Sequence, residues 1–406
     1  MWREEEIGII IYVAPKLNKN PKEGDCMNML KLIWHCIKYS DKFLWSIVII
    51  ISVYSLLLIG SVSREGFNYF TVQSISVGIG FLGAVALQVV DYKVISKASK
   101  WIGIICILLI IYTLFAGVTI AGSSGVNAKA WIKLPGGVTF QPSELVKIGF
   151  IITFARHLAI LKKSKQLKNF QSIVILAVHA LIPVILMHMQ GDDGAAIIFL
   201  CIALTMAFMA GLPLRYFLSL SAIGALLAPL AWKFILADYQ KQRILSQMNP
   251  EADPLNMGYQ QIQGKLSIGS GGIFGTGIFS GPRVANNVVP IQESDFIFSV
   301  AGEELGFIGC FLIILLLLTL ILKIGFTAKK SNDIIGMLTC FGFIGLIASQ
   351  TIFNLGMCLS LLPVMGVTLP FFSVGGSSAS CLYLGIGILQ NIYLNRNQTK
   401  NTLETG

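Results

Sequence analysis

Apolar residues in this chain gather into ten runs of about twenty, at 44–62, 70–90, 101–121, 143–161, 171–189, 194–212, 216–236, 296–322, 334–355 and 371–392. A helix crossing a hydrocarbon core about 30 Å thick needs about 20 such residues. The pattern therefore predicts an all-α polytopic membrane protein with about ten transmembrane helices. Most polar joints between the runs are short, as in a compact bundle. Two are long: 122–142, and 237–295 between the seventh and eighth spans. Tyr239, Tyr259, Phe274 and Phe279 recur too often in the second for a disordered linker, so it reads as a structured, functional loop.

Composition agrees with the pattern. The 406 residues are 55% hydrophobic and 12% charged, against about 25% charged in ordinary soluble domains. Most of the 30 Lys and Arg residues fall before the first span or in alternate joints, at Lys93 to Lys100, Arg156 to Lys168, Arg215, Lys323 to Lys330, and Arg396 and Lys400. Because flanking positive charge stays cytoplasmic, both termini are expected inside and the 237–295 loop outside. The division is a cytoplasmic extension 1–43, a membrane domain 44–392 and a cytoplasmic tail 393–406. The net charge of +10 is a membrane-surface signature. No basic stripe interleaves with aromatics, so nucleic-acid binding is not expected.

The eight cysteines (26, 36, 106, 201, 310, 340, 358, 381) form no C-x-x-C pair and read as small apolar packing residues. His179 and His188, nine apart, match no common metal pair, and they and His157 read as ordinary helix histidines. Gly8 to Ala14 is too short and too acidic on its flank for a signal h-region, so the first span is expected to target the chain. Residues 1–26 sit oddly with this design, with Met27 or Met29 as alternative starts. A chain beginning at Met27 should keep its activity.

Carboxylates carry the candidate chemistry. Pro290-Ile-Gln-Glu-Ser-Asp295-Phe-Ile-Phe leads into Gly302-Glu303-Glu304-Leu-Gly306 within the next apolar run. A carboxylate at bilayer depth costs at least about 2.5 to 3.5 kcal/mol, so a group of them points to a substrate path or reaction site. Glu144 follows Pro142 near a helix start, where the dipole favours negative charge, and can pair with Lys147 three residues on. Asp192 and Asp193 stand at another helix entrance, as an N-cap or as walls of a cavity shared with Asp295. In the long loop, Gln263-Gly-Lys265 runs into Gly269-Ser-Gly271-Gly272-Ile-Phe-Gly275-Thr-Gly277, either an anion nest with Lys265 as counter-charge or a re-entrant hinge. These glycines match no nucleotide-binding motif.

Together these segments resemble the SEDS family of shape, elongation, division and sporulation proteins, which includes RodA, FtsW and SpoVE. The resemblance rests on Ala128-Lys-Ala-Trp131, Phe140-Gln-Pro-Ser-Glu144-Leu-Val-Lys147, Gln190-Gly-Asp192-Asp-Gly194, Tyr259-Gln-Gln-Ile-Gln263, Gly269-Ser-Gly-Gly272 and Asp295-Phe-Ile-Phe. Asn354-Leu-Gly-Met357, Leu361-Leu-Pro363 and Leu369-Pro-Phe-Phe-Ser373-Val-Gly-Gly-Ser377-Ser378 complete it. Gly275-Thr-Gly277 stands where the family often has Gly-Lys-Gly, and Gln-Gly-Asp-Asp-Gly where it has Gln-Pro-Asp-Leu-Gly.

The resemblance implies a glycosyltransferase that polymerises lipid II into peptidoglycan strands at the outer face of the bacterial cytoplasmic membrane, working with a class B penicillin-binding protein. It implies Asp295 as the catalytic aspartate, which reads as the general base. Glu144, Lys147, Asp192, Gln263, Lys265, Gly271, Gly272, Arg283 and Ser377 are the substrate-binding candidates, with Lys147, Lys265 or Arg283 facing the departing pyrophosphate. Ligand spacing specifies no metal, and a divalent cation remains open. The alternatives are a transporter of the lipid-linked precursor and a scaffold for a transpeptidase.

Overall fold

The computed structural model describes residues 29–63, 69–119, 128–133, 139–234, 236–248 and 257–397. The expectations for residues 1–26 and for the tail beyond Asn397 lie outside these. In chain order the elements are α1 (Met29–Tyr39), α2 (Lys42–Val62), α3 (Tyr69–Val89), α4 (Tyr92–Lys97), α5 (Ser99–Ala116), β1 (Ile132–Lys133), β2 (Thr139–Phe140), α6 (Pro142–Lys163), α7 (Phe170–Met189) and α8 (Asp193–Ala210). There follow α9 (Leu214–Phe234), α10 (Asp238–Met248), α11 (Met257–Ser270), α12 (Pro282–Ala285), α13 (Ile297–Lys330), α14 (Ile334–Cys358) and α15 (Gly376–Leu394). Strands β1 and β2 pair antiparallel, Ile132 opposite Phe140.

Each of the ten apolar runs is helical. Eight of the helices, α2, α3, α5, α7, α8, α9, α13 and α14, are long and apolar enough to cross a membrane. The other two runs became α6 and α15, and these are buried along most of their length, so their polar side chains meet protein rather than lipid. At the other extreme α9 buries no residue. The last run is helical only from Gly376, because Leu369 to Gly375 is drawn into the site described below. The 237–295 segment holds three helices of its own.

Local chemistry sets the helix ends. Asp41, Asp192 and Asp333 cap α2, α8 and α14 by accepting from the N–H groups of Leu44, Ala195 and Gly336 at 3.2, 2.9 and 2.9 Å. Pro142 opens α6, and Gly211, in the left-handed region at φ 96°, closes α8. At the end of the bundle opposite Asp295, Lys323 Nζ lies 2.6 Å from Asp41 Oδ2, and Gln390 bonds both the N–H and the carbonyl of Asp41. This polar clasp ties α13 and α15 to the start of α2.

The longest helix is broken. Gly306 in α13 takes φ 64° and ψ −159°, which interrupts the helical ladder and frees backbone groups inside the protein. The glycine-rich stretch after α11 satisfies them. Thr276 and Gly277 donate to the carbonyls of Glu303 and Glu304, both at 2.9 Å, while Phe307 and Ile308 donate to the carbonyls of Gly272 and Ile273 at 2.9 and 3.2 Å. Gly271 has no room for a side chain, since a Cβ there would stand 2.0 Å from the Gly302 carbonyl oxygen. Gly271→Ala is therefore expected to destabilise the protein by about 1–3 kcal/mol or more, the range for overpacking. A detergent melting temperature equal to that of the wild type would contradict this reading of the break.

Candidate functional site

Asp295 stands two residues ahead of the first residue of α13, and its main chain is fully engaged. Asn354 on α14 donates its amide to the Asp295 carbonyl at 2.9 Å and to the Val367 carbonyl at 2.8 Å, and Cys358 Sγ also points its hydrogen at the Asp295 carbonyl. Ser373 donates to the Ser294 carbonyl and accepts from the Leu369 N–H, and Val374 N–H donates to the Glu293 carbonyl at 2.9 Å. Gln73 on α3 holds the same stretch by donating to the Ser373 carbonyl and accepting from Gly375 N–H. The Leu369 to Gly375 segment is thus the bed on which the Glu293–Asp295 turn lies. That is why it does not join α15.

With the backbone occupied, the carboxylate is the free chemical handle. Asp295 is only 6% exposed, and its Oδ1 accepts from the Ser294 hydroxyl at 3.1 Å. Burial pushes its pKa up to about 6. The Ser294 bond opposes this, Glu293 adds to it, Arg243 on α10 opposes it and Asp192 adds to it. A carboxylate poised near 6 can exchange a proton near neutral pH.

Asp192 caps α8, as one of the two expectations for it had it, and its charge also acts on Asp295. Burial raises its pKa, against the Ala195 N–H, the Lys147 charge and the Gln141 amide, with Glu144 adding to the rise. Gln141 joins three elements, donating its side-chain amide to Asp192 Oδ2 at 3.2 Å and its backbone N–H to Ser377 Oγ at 2.9 Å. Lys147 and Glu144, both buried on one face of α6, form an ion pair at 2.9 Å. Asp295, Asp192, Glu144, Lys147 and Ser377 therefore gather at one end of the bundle.

The remaining candidates lie along α11 and α12. Arg283 donates Nε to Ser267 Oγ at 2.9 Å and Nη2 to the side-chain oxygen of Gln263, while its N–H bonds Glu303 Oε1 at 2.7 Å. Lys265 is exposed on α11. Gly271 and Gly272 are spent on the break in α13, so their N–H and carbonyl groups serve the fold. Glu303 and Glu304, both 0% exposed, are structural as well: Glu303 caps α12, and Glu304 accepts from Ser61 on α2. Of the carboxylates that made the Asp295 to Gly306 stretch conspicuous, Glu303 and Glu304 brace the fold, whereas Asp295 is held through its backbone.

Arg243 is a buried cation near the site that the sequence reading missed. It is 8% exposed on α10 and is the cation that acts on Asp295. The signal for it was a polar stripe at Gln240, Arg243 and Gln247, one face of a helix in the long loop. The histidines also paired differently from the spacing considered, with His157 Nδ1 3.0 Å from His179 Nδ1 across α6 and α7. Among the described residues no group of three His, Cys, Asp or Glu side chains is placed to hold a metal ion, and seven cysteines are free thiols.

A family model described as a cell cycle protein, of the FtsW, RodA and SpoVE kind, matches residues 37–398. The peptidoglycan glycosyltransferase MrdB of Escherichia coli K12 is 31% identical over 366 residues, covering 90% of this chain and 96% of MrdB. The stage V sporulation protein E of Bacillus subtilis is 33% identical over 329 residues, 81% of this chain and 87% of that protein. Among solved structures, a chain of a peptidoglycan synthase complex that coordinates polymerization and crosslinking superposes with a TM-score of 0.75 at 28% identity, covering 88% of this chain and 99% of the other. The rod shape determining protein RodA of Thermus thermophilus gives a TM-score of 0.66 at 26% identity, with 88% and 98% covered.

Proposed function

This chain belongs to the FtsW/RodA/SpoVE family and is a peptidoglycan glycosyltransferase, and from that premise we propose that it polymerises lipid II with Asp295 as the general base. The observation that carries the proposal is the buried Asp295 carboxylate, its turn held through the backbone by α14 and the 369–375 segment while its side chain keeps a pKa of about 6. In the reaction, Asp295 takes the proton of a sugar 4-hydroxyl as that oxygen bonds to the anomeric carbon of a second lipid II, and the bond from that carbon to pyrophosphate breaks. Arg243 supplies positive charge for the departing anion, while buried Lys147, paired with Glu144, acts on it only through the field at Asp192. Asp192 and Ser377, linked through Gln141, are positioned to hold sugar hydroxyls. Arg283 and Gln263 shape the α11 wall, and exposed Lys265 meets phosphate at the rim. Gly271 and Gly272 act through the break in α13.

The positive charge of the opposite end supports a placement in which Asp295 opens to the outer face of the bacterial cytoplasmic membrane and both termini are cytoplasmic. Residues 44–392 then form the catalytic membrane domain, with 1–43 and 393–406 as cytoplasmic flanks. The likeness to a chain from a synthase complex supports a class B penicillin-binding protein as the partner that cross-links the strands. The test is purified protein with lipid II in detergent, with and without the co-purified transpeptidase: glycan strands on a gel support the reading, and their absence in both overturns it.

The pH dependence follows from the base. Only ionised Asp295 can accept the proton, and its pKa is raised to about 6, so lowering the pH through that value protonates it. Polymerisation is expected to fall about tenfold per unit below pH 6. A rate that stays level down to pH 4.5 would show that another group is the base.

A further inference from the structure

Helix α10 has no long apolar face to hold it, yet it carries the one arginine that acts on Asp295. What holds it is polar. Gln240, Arg243 and Gln247 share one face, and each goes to a different element. Gln240 Nε2 donates to Asp193 Oδ2 at 2.6 Å, Arg243 is buried with its charge acting on Asp295, and Gln247 Nε2 donates to the Leu361 carbonyl at 3.3 Å. Both ends of the Gln240 amide are used, because its Oε1 accepts from Ala237 N–H at 3.0 Å and so closes the first turn of α10. Asp193 is fixed in turn from the other side. His188, at the end of α7, bonds Asp193 Oδ1 at 2.7 Å.

The Asp193 carboxylate is therefore a bridge from the α7–α8 turn to α10, next to Asp192 in sequence but with a separate task. Asp192 accepts from the Ala195 N–H and the Gln141 amide, whereas Asp193 points its oxygens at His188 and Gln240. We propose that Asp193 is a positioning residue for polymerisation: by gripping Gln240 it fixes α10 against the α7–α8 turn and so sets where the buried Arg243 charge stands relative to Asp295. This rests on the reading of Asp295 as the base. Placement matters here because an error of about 1 Å in a catalytic group can cost a hundredfold in rate.

The sign of the electrostatic consequence is fixed. The groups that act on the Asp295 carboxylate are Ser294, by a hydrogen bond, and the charges of Glu293 on its own turn, Asp192 at the α7–α8 turn and Arg243 on α10. Arg243 favours the ionised carboxylate, so drawing it away raises the Asp295 pKa and moves the acid limb of the rate profile to higher pH.

The experiment is a double-mutant cycle on the purified full chain, measuring kcat, KM and the pH profile for lipid II polymerisation in D193A, Q240A, R243A and D193A/R243A. D193A and Q240A are each expected to lower kcat by about ten- to a hundredfold with little change in KM. Both should shift the acid limb upward, and D193A should cost nothing further once Arg243 is gone. D193N keeps an oxygen for Gln240 and should retain most of the rate. Additive losses in D193A/R243A, or an acid limb that does not move, would overturn the proposal, as would D193N behaving like D193A. Q240A alters a partly exposed residue in a loop helix, so its result stands even if D193A fails to fold. A wild-type rate in Asp295→Asn would sink the base assignment while leaving the Asp193–Arg243 coupling measurable, so the two failures are distinct.

Discussion

Asp295→Asn is expected to cut lipid II polymerisation by about 10² to 10⁴, the usual contribution of a positioned base. The substitution is close to isosteric. The bonds from Asn354, Cys358 and Ser373 go to backbone carbonyls that it leaves in place, so the chain should fold and melt as the wild type does. Loss of rate without loss of stability is then a chemical effect. Initial rates of strand formation measure it, and a wild-type rate would exclude Asp295 as the base. The same variant in liposomes separates the enzyme from a transporter, because translocation of lipid II without polymer would favour transport. Glu303→Gln and Glu304→Gln provide the contrast, since those carboxylates are braces and their loss should appear first in the melting temperature.

Lys147→Ala should destabilise the protein by about 3–5 kcal/mol, the cost of leaving one member of a buried ion pair unpartnered. Glu144 and Lys147 are 6% and 2% exposed and meet at 2.9 Å, so without the ammonium the carboxylate loses its nearest compensation inside the bundle. Replacing both at once, Glu144→Gln with Lys147→Met, removes the buried charges together and should recover most of the loss. Thermal melts in detergent give the comparison. A single variant as stable as the wild type would show that the pair is not buried in the working protein. The rate carries a second signal, because the Lys147 charge also favours ionised Asp192.

These expectations differ in how far the sequence alone could have supported them. The Asp295 motif was legible because a carboxylate beside an apolar run is costly and stands out. The same rule, applied to Glu303 and Glu304, marked two residues that the fold uses as braces. Cost at the membrane boundary says that a carboxylate has a reason to be there. It does not say whether the partner is a substrate, a helix end at Gly281–Val284 or a serine on α2. The glycines of 269–277 show the same limit. Their density signalled close backbone approach, and what approaches them is the interrupted ladder of α13.

Arg243 was harder to find. An arginine in a polar loop helix looks like any solvated residue until α10 is laid against the α7–α8 turn and the segment after Leu361. The hydrogen bonds that place it, from Gln240 to Asp193 and from Gln247 to Leu361, span 47 and 114 positions in the sequence. No local pattern encodes a contact of that range.

The sequence by itself determined the spans, the helix caps, the excess of positive charge at alternate joints and the aspartate at the mouth of α13. All of these follow from local rules of length, hydropathy and end chemistry. Only the tertiary structure decided which carboxylates brace the fold, which cation acts on Asp295, and why residues 369–375 leave the last helix. Those outcomes depend on which buried polar groups meet across distant segments, and burial is a property of the assembled bundle.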